Sequence, residues 1–169
     1  MNNRKIQAVI IGDSTADHEK YDFAYQVGKI LADYKITIIS GGRGGVMEAA
    51  CKGAFESGGI TVGILPSNNL DDANDWCTIS IPTGMGHARN ALTSMSADFI
   101  IAIGGGAGTL TEIGFGWIYE KPIIAVSRFG GWAEQTGNTQ LDARRMDKIF
   151  KVSSLEDLRE VISKLIPEV

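Results

Sequence analysis

Two glycine-rich segments constrain this chain most: Gly41-Gly42-Arg43-Gly44-Gly45 and Gly104-Gly105-Gly106-Ala107-Gly108-Thr109. Each follows a short apolar run and opens onto a stretch of helical spacing. Glycine lets a chain turn tightly and lets its backbone approach a ligand with no Cβ in the way. The first amides of the helix that follows have no internal partner. A phosphate group satisfies those amides and meets the positive end of the helix dipole. A single turn of this kind also serves as a plain strand-to-helix connection, so the pair carries the argument.

The rest of the chain repeats the same unit. Apolar runs at residues 6–11, 36–39, 61–65, 78–81, 99–103, 122–126 and 149–152 read as strands, several of them continuously apolar. Between them, helical spacing predicts helices over 21–34, 47–55, 88–95 and 110–119, and Ser153 and Ser154 ahead of Glu156 and Asp157 mark the start of a last one. Residues 66–77 are polar and turn-rich, and 127–147 reads as a long loop. Continuously apolar strands alternating with helices mean a parallel sheet covered on both faces. The expected architecture is α/β: one Rossmann-like doubly wound domain over residues 1–169, a mostly parallel sheet of about six or seven strands with helices on both faces. In such sheets a ligand lies beyond the carboxyl ends of the strands, where both glycine turns and Gly12-Asp13-Ser14 are expected.

Composition removes several function classes. With 44% hydrophobic and 21% charged residues in 169, the chain can bury a proper core. The net charge is −4 and no lysine or arginine cluster exists, which argues against nucleic acid as a partner. No stretch has membrane-spanning length, so no membrane is expected either. Cys51 and Cys77 lack metal-ligand spacing and are too few for a disulfide framework, which fits a cytoplasmic protein. His87 has no second histidine nearby, and no metal is expected.

The candidate ligand contacts follow from these turns. Gly12, Asp13 and Ser14 follow the first strand without the G-x-G-x-x-G fingerprint of dinucleotide sites, so a mononucleotide or similar phosphate ester is expected in place of NAD. Gly41, Gly42, Arg43 and Gly44 form one candidate phosphate turn, and Gly105, Gly106, Ala107, Gly108 and Thr109 form the other. Arg43 either clamps a phosphate or is solvated, and Asp13 either accepts from a ribose hydroxyl or helps cap a helix. Ser14 lacks the G-x-S-x-G elbow of serine hydrolases. Trp117 is expected in the core or an interface, and Trp132, beside two glycines, is placed to stack over a planar ligand.

Gly105-Gly106-Ala107-Gly108-Thr109-Leu110-Thr111-Glu112 resembles the P-G-G-x-G-T-x-x-E signature of the Lonely Guy phosphoribohydrolases, often mislabelled lysine decarboxylases. Gly41 to Met47 is similar to their G-G-x-x-G-x-M turn, and Gly86-His87-Ala88-Arg89-Asn90 to their M-H-x-R-K stretch. The likeness places Arg89 and Glu112 on the family's catalytic arginine and glutamate. Gly104 stands where the family has proline, Asn90 where it has lysine, and Gly86 where it has methionine. Gly130-Gly131-Trp132 and Leu141-Asp142-Ala143-Arg144-Arg145 look more like the branch that includes the molybdenum-cofactor carrier proteins.

The resemblance implies a small phosphorylated ligand, a nucleotide or molybdenum cofactor, and no cofactor required for chemistry. It also implies a homodimer or higher homo-oligomer, with the helix of Leu92 and Met95 or that of Phe115 and Trp117 as interface. Two functions remain open. One is a carrier-type protein that binds a phosphorylated nucleotide-like or pterin ligand and releases it intact. The other is hydrolysis of a nucleoside 5′-monophosphate to free base and ribose 5-phosphate. There, Glu112 would stabilise the oxocarbenium-like transition state and Arg89 would orient substrate. Read without the family, Glu112 in the first turn of a helix simply meets the dipole, and Arg89 simply pairs with it.

Overall fold

The computed structural model describes residues 4–166. Seven strands form one all-parallel sheet: β1 (Gln7–Gly12), β2 (Thr37–Ser40), β3 (Thr61–Leu65), β4 (Ile79–Pro82), β5 (Phe99–Ile103), β6 (Ile123–Val126) and β7 (Phe150–Val152). Their order is β4-β3-β2-β1-β5-β6-β7, and every neighbouring pair is parallel. The helices are α1 (His18–Asp33), α2 (Val46–Glu56), α3 (Asn90–Met95), α4 (Ala107–Ile118), α5 (Gly131–Thr136) and α6 (Leu155–Leu165).

Alternate residues of each strand face opposite sides, and the core divides accordingly. Ala8, Ile10, Ile38, Ile101 and Ile124 pack against Phe23, Val27 and Leu31 of α1, Ala50 of α2, and Leu158 and Ile162 of α6. On the other face Val9, Ile11, Ile100, Ala102 and Ala125 meet Ile113 and Trp117 of α4 and Ala133 of α5. Strands buried on both faces must be apolar throughout, which is why β5 reads Phe-Ile-Ile-Ala-Ile with every residue buried.

The order of the strands positions the site. From β1 the chain builds outward through β2, β3 and β4, then crosses back to place β5 on the other side of β1. Strand order therefore reverses between β1 and β5, where Gly12 pairs with Ile103. The loops leaving those two strands emerge side by side, with the β2 loop next to them.

Three expectations are corrected. Residues 127–147 are not one long loop, because a 3-10 turn at Ser127–Phe129 and helix α5 lie within them. That helix is short and opens with two glycines at positive φ, Gly130 and Gly131, which hide it from a helical-spacing argument. The third helix begins at Asn90 and not at Ala88, because Gly86–Arg89 winds as a 3-10 turn. Finally, Asp17 and not Asp13 caps the first helix, its side chain accepting from the Lys20 amide at 2.8 Å. No helix among the described residues is long and apolar enough to cross a membrane.

Candidate functional site

The second glycine turn leads straight into α4. The N-cap residue is Gly106, which offers no side chain to the first turn, and no acidic residue stands in that turn. Helix N-termini are ordinarily capped by Ser, Thr, Asp or Asn. Here the leading amides of Ala107, Gly108 and Thr109 have no side-chain cap, and no acidic residue of the first turn opposes the positive end of the dipole. The first glycine turn is built differently. The N-cap of α2 is Gly45, also without a side-chain cap, but the Val46 amide donates to the Asp13 carbonyl at 3.0 Å. Glu48 lies in the first turn of α2 and takes a hydrogen bond from the Tyr21 hydroxyl. On these grounds the α4 end leaves more backbone donors open than the α2 end.

Helix α5 holds the second turn from behind. The Ala133 amide donates to the Gly104 carbonyl and the Trp132 amide to the Gly105 carbonyl, each at 3.0 Å. In a planar trans peptide the carbonyl and the next N–H point in opposite directions, so the Gly105 and Gly106 amides face away from α5. Gly104 has φ +64 and Gly105 φ +99, a conformation that glycine adopts freely. Gly131, with φ +65, permits the approach, because a Cβ there would lie 2.6 Å from the Gly104 carbonyl carbon.

Arg89 and Glu112 form a buried pair. Arg89 Nη1 lies 3.3 Å from Glu112 Oε1 and also donates to Asn90 Oδ1 and Thr93 Oγ1. Arg89 Nη2 donates to the Gly41 carbonyl at 3.5 Å, and a Cβ on Gly41 would lie 2.3 Å from that nitrogen. The glycine leaves room for the guanidinium. Arg89 Nε is buried with no partner, the one such side-chain atom among the described residues. Burial pushes the Glu112 carboxyl up to about 7, although Arg89 draws it back down. Burial also works against the Arg89 charge; Glu112 favours it and Arg43 opposes it.

A cavity of about 580 Å³ opens at this edge, large enough for a mononucleotide-sized molecule. Of the residues singled out in the sequence, Gly12, Asp13, Ser14, Arg43, Arg89, Gly106, Gly108, Thr109 and Glu112 line it. Gly41, Gly42, Gly44, Gly105 and Ala107 are not among the lining residues. Gly42 is held from behind instead, its amide donating to Ser40 Oγ and its carbonyl accepting from the Asn74 amide. Gly105 backs onto Thr109, since a Cβ there would meet the threonine side chain at 2.3 Å.

Met47, Pro66, Gly86, His87 and Asn90 complete the lining. Met47 closes the G-G-x-x-G-x-M likeness, whereas Pro66 carried no signal in the sequence, because only the fold brings it to the rim. Asn90 binds the α4 end, its Nδ2 donating to Thr111 Oγ1 at 2.8 Å and to the Gly108 carbonyl at 3.4 Å. Trp132 is not placed to stack on a ligand here; it is half-buried against the apolar core on the α4 face of the sheet. Trp117 is fully packed, its Nε1 donating to Asp142 at 2.9 Å. Among the described residues no group of three or more His, Cys, Asp or Glu side chains is placed to hold a metal ion.

A doubly wound parallel sheet with an uncapped helix N-terminus at its switch point and a buried Arg–Glu pair beside it defines a Rossmann-like protein. The chain belongs to the SLOG cluster4 family, whose model matches residues 5–159. It is 47% identical over 108 residues to an uncharacterized protein of Archaeoglobus fulgidus, covering 64% of this chain and 71% of that one. It is 29% identical over 134 residues to the cytokinin riboside 5′-monophosphate phosphoribohydrolase of Mycobacterium tuberculosis, covering 73% of this chain and 71% of the other. Among solved structures, the molybdenum cofactor binding protein of Rippkaea orientalis superposes with a TM-score of 0.87 at 32% identity, over 98% of this chain and 100% of that one. Within the Lonely Guy superfamily the chain therefore stands with the branch resembling the molybdenum-cofactor carriers.

Proposed function

We propose that this protein binds a small phosphorylated ligand, nucleotide-like or pterin, in carrier fashion and releases it intact. The observation that carries the reading is the uncapped N-terminus of α4, opening on the same cavity as Arg43 and Arg89. Two arginines and free backbone amides supply both the charge and the directed donors a phosphate takes. Arg89 lines that cavity, and its Nε is buried without an acceptor. The likeness to the Rippkaea orientalis molybdenum cofactor binding protein spans nearly the whole of both chains and supports binding over turnover.

A second reading is favoured by one specific feature, the Arg89–Glu112 pair, which the sequence resemblance sets on the catalytic arginine and glutamate of the phosphoribohydrolases. In that reaction the bond between sugar C1′ and the base nitrogen breaks, its electron pair leaves with the base, and water adds to C1′. Glu112 in its ionised form would stabilise the sugar cation, and Arg89 would hold the substrate. With its carboxyl at about 7, Glu112 is ionised in a substantial fraction of molecules at neutral pH.

One experiment separates the two. The protein is incubated with nucleoside 5′-monophosphates and with molybdenum cofactor, and bound ligand and released base are both measured. Tight binding with no free base supports the carrier reading, and turnover that disappears in Glu112→Ala supports the hydrolase. No binding and no turnover with either class defeats both. The reading includes a homodimer, supported by the exposed Met95 and Ile118 beside the half-buried Leu92 and Phe115, and light scattering on the eluted protein tests it. It also includes a cytoplasmic setting, supported by Cys51 and Cys77 standing as free thiols.

A further inference from the structure

We propose that Asp13, held by Lys20, reads a sugar hydroxyl next to the bound phosphate, an inference that rests on the nucleotide form of the reading above. Asp13 lines the cavity at the end of β1, and its Oδ2 accepts from Lys20 Nζ at 2.6 Å. The pair is largely shielded, with the Lys20 side chain 15% and the Asp13 side chain 28% exposed. It presses on the second glycine turn: a Cβ on Gly104 would lie 2.3 Å from Asp13 Oδ2 and 3.2 Å from Lys20 Nζ. The glycine that replaces the family's proline thus makes room for a carboxylate beside the α4 anion site.

A lone carboxylate there repels phosphate, and Lys20 offsets that charge. The arrangement still leaves Asp13 Oδ1 without a hydrogen bond to any described residue. An ionised carboxylate only accepts, so Oδ1, on a side chain 28% exposed at the cavity wall, is open to a ligand group that donates in place of water. A phosphate ionised at neutral pH offers mainly acceptors. The donor closest to the phosphate of a nucleoside 5′-monophosphate is the 3′-hydroxyl, with the 2′-hydroxyl beside it. Asp13 is therefore a specificity-determining residue for a ribose ester, and Lys20 is a positioning residue that fixes Oδ2 and keeps the neighbouring anion tolerable. Neither role follows from Asp13 as a helix cap, since Asp17 does that work.

The test measures dissociation constants, or KM where turnover occurs, for the four common nucleoside 5′-monophosphates, then for the 3′-deoxy and 2′-deoxy analogues of the best binder. Wild type is expected to prefer the ribonucleotide over its 3′-deoxy analogue by about 10- to 100-fold, the usual range for a hydrogen bond to a charged acceptor. In Asp13→Ala that ratio falls to near one while affinity for the 3′-deoxy analogue is kept. Lys20→Met weakens every nucleotide and also lowers the ratio, because Oδ2 is no longer held, and the double variant Asp13→Ala with Lys20→Met regains affinity for the deoxy analogue. A merely structural pair would shift all affinities together and leave the ratio in place. A ratio that survives Asp13→Ala, or a Lys20→Met loss not rescued in the double variant, overturns the inference while leaving nucleotide binding standing. Failure of the wild type to bind any of the four overturns the nucleotide reading and this inference with it.

Discussion

Arg89 Nη1 and Glu112 Oε1 lie 3.3 Å apart, with the two side chains only 9% and 10% exposed. A buried pair of this kind is a costly arrangement, because both ions lose their water and the attraction barely makes up for it. It becomes more costly when broken on one side. Arg89→Met leaves a buried carboxylate with no counter-charge and is expected to cost about 3–5 kcal/mol, read by urea denaturation at pH 8. At pH 5, where the carboxyl is protonated in both proteins, the loss should shrink by about 1 kcal/mol, the most that a carboxyl already at about 7 allows between these pH values. A loss equal at both pH values would mean that packing, and not the charge, is what Arg89 contributes.

The same burial sets a pH dependence for the wild type. The Glu112 carboxyl is raised from the usual 4.5 to about 7 in the folded protein. Between those values the folded state holds a proton that the unfolded chain has released, so stability falls as pH rises through this window and this contribution flattens above 7. The expected size is on the order of 2–3 kcal/mol. Glu112→Gln cannot titrate, so the difference in unfolding free energy between it and wild type should shift by that amount between pH 4.5 and 7.5, in favour of the variant at the higher pH. A difference that does not move with pH would remove Glu112 as the titrating group.

Gly104 departs from the family signature for a reason visible in its backbone. Its φ is +64, whereas the pyrrolidine ring of proline fixes φ near −65. Gly104→Pro, which restores the family residue, is therefore expected to unseat the turn, lower the melting temperature, and abolish phosphate-ester binding. Equilibrium binding of a nucleoside 5′-monophosphate measures the outcome. Unchanged affinity would mean that the turn here tolerates the family's conformation.

Much of the fold was readable because its central strands are buried on both faces. A run such as Phe99–Ile103 has no polar residue to confuse it. Arg89 and Glu112 were readable as a motif, and they do meet. The glycine turns were readable as turns, but glycine pattern alone does not say which glycine faces a ligand. Gly106 and Gly108 line the cavity, while Gly41 makes room for Arg89 and Gly42 is tied to Ser40 and Asn74. Other parts depended on contacts that the chain makes only once folded. Lys20 reaches Asp13 across the turn into α1, with only a seven-residue separation to suggest it. Helix α5 spans six residues between glycines, and its tie to Gly104 and Gly105 connects backbone to backbone, so no side chain advertises it.

That tie is open to a controlled test, because two adjacent glycines share a backbone conformation but not an environment. Gly130 has φ +68 and Gly131 φ +65, so an alanine at either position meets the same kind of strain, roughly 1–2 kcal/mol. A Cβ at Gly130 would meet its nearest neighbour, Glu134 Oε2, at 3.8 Å, whereas one at Gly131 would lie 2.6–2.7 Å from three backbone atoms of Gly104 and Gly105. Backbone cannot swing aside as a flexible side chain does, so Gly131→Ala must push α5 off the second glycine turn. The Trp132 and Ala133 amides then lose the carbonyls they hold, and the amides facing the cavity lose their orientation. Both variants are expected to be less stable, but only Gly131→Ala should also weaken phosphate-ester binding, by about tenfold or more given the loss of directed donors. Equal loss of affinity in both variants, measured by calorimetry under conditions where each is folded, would show that α5 supports the domain without orienting its anion site.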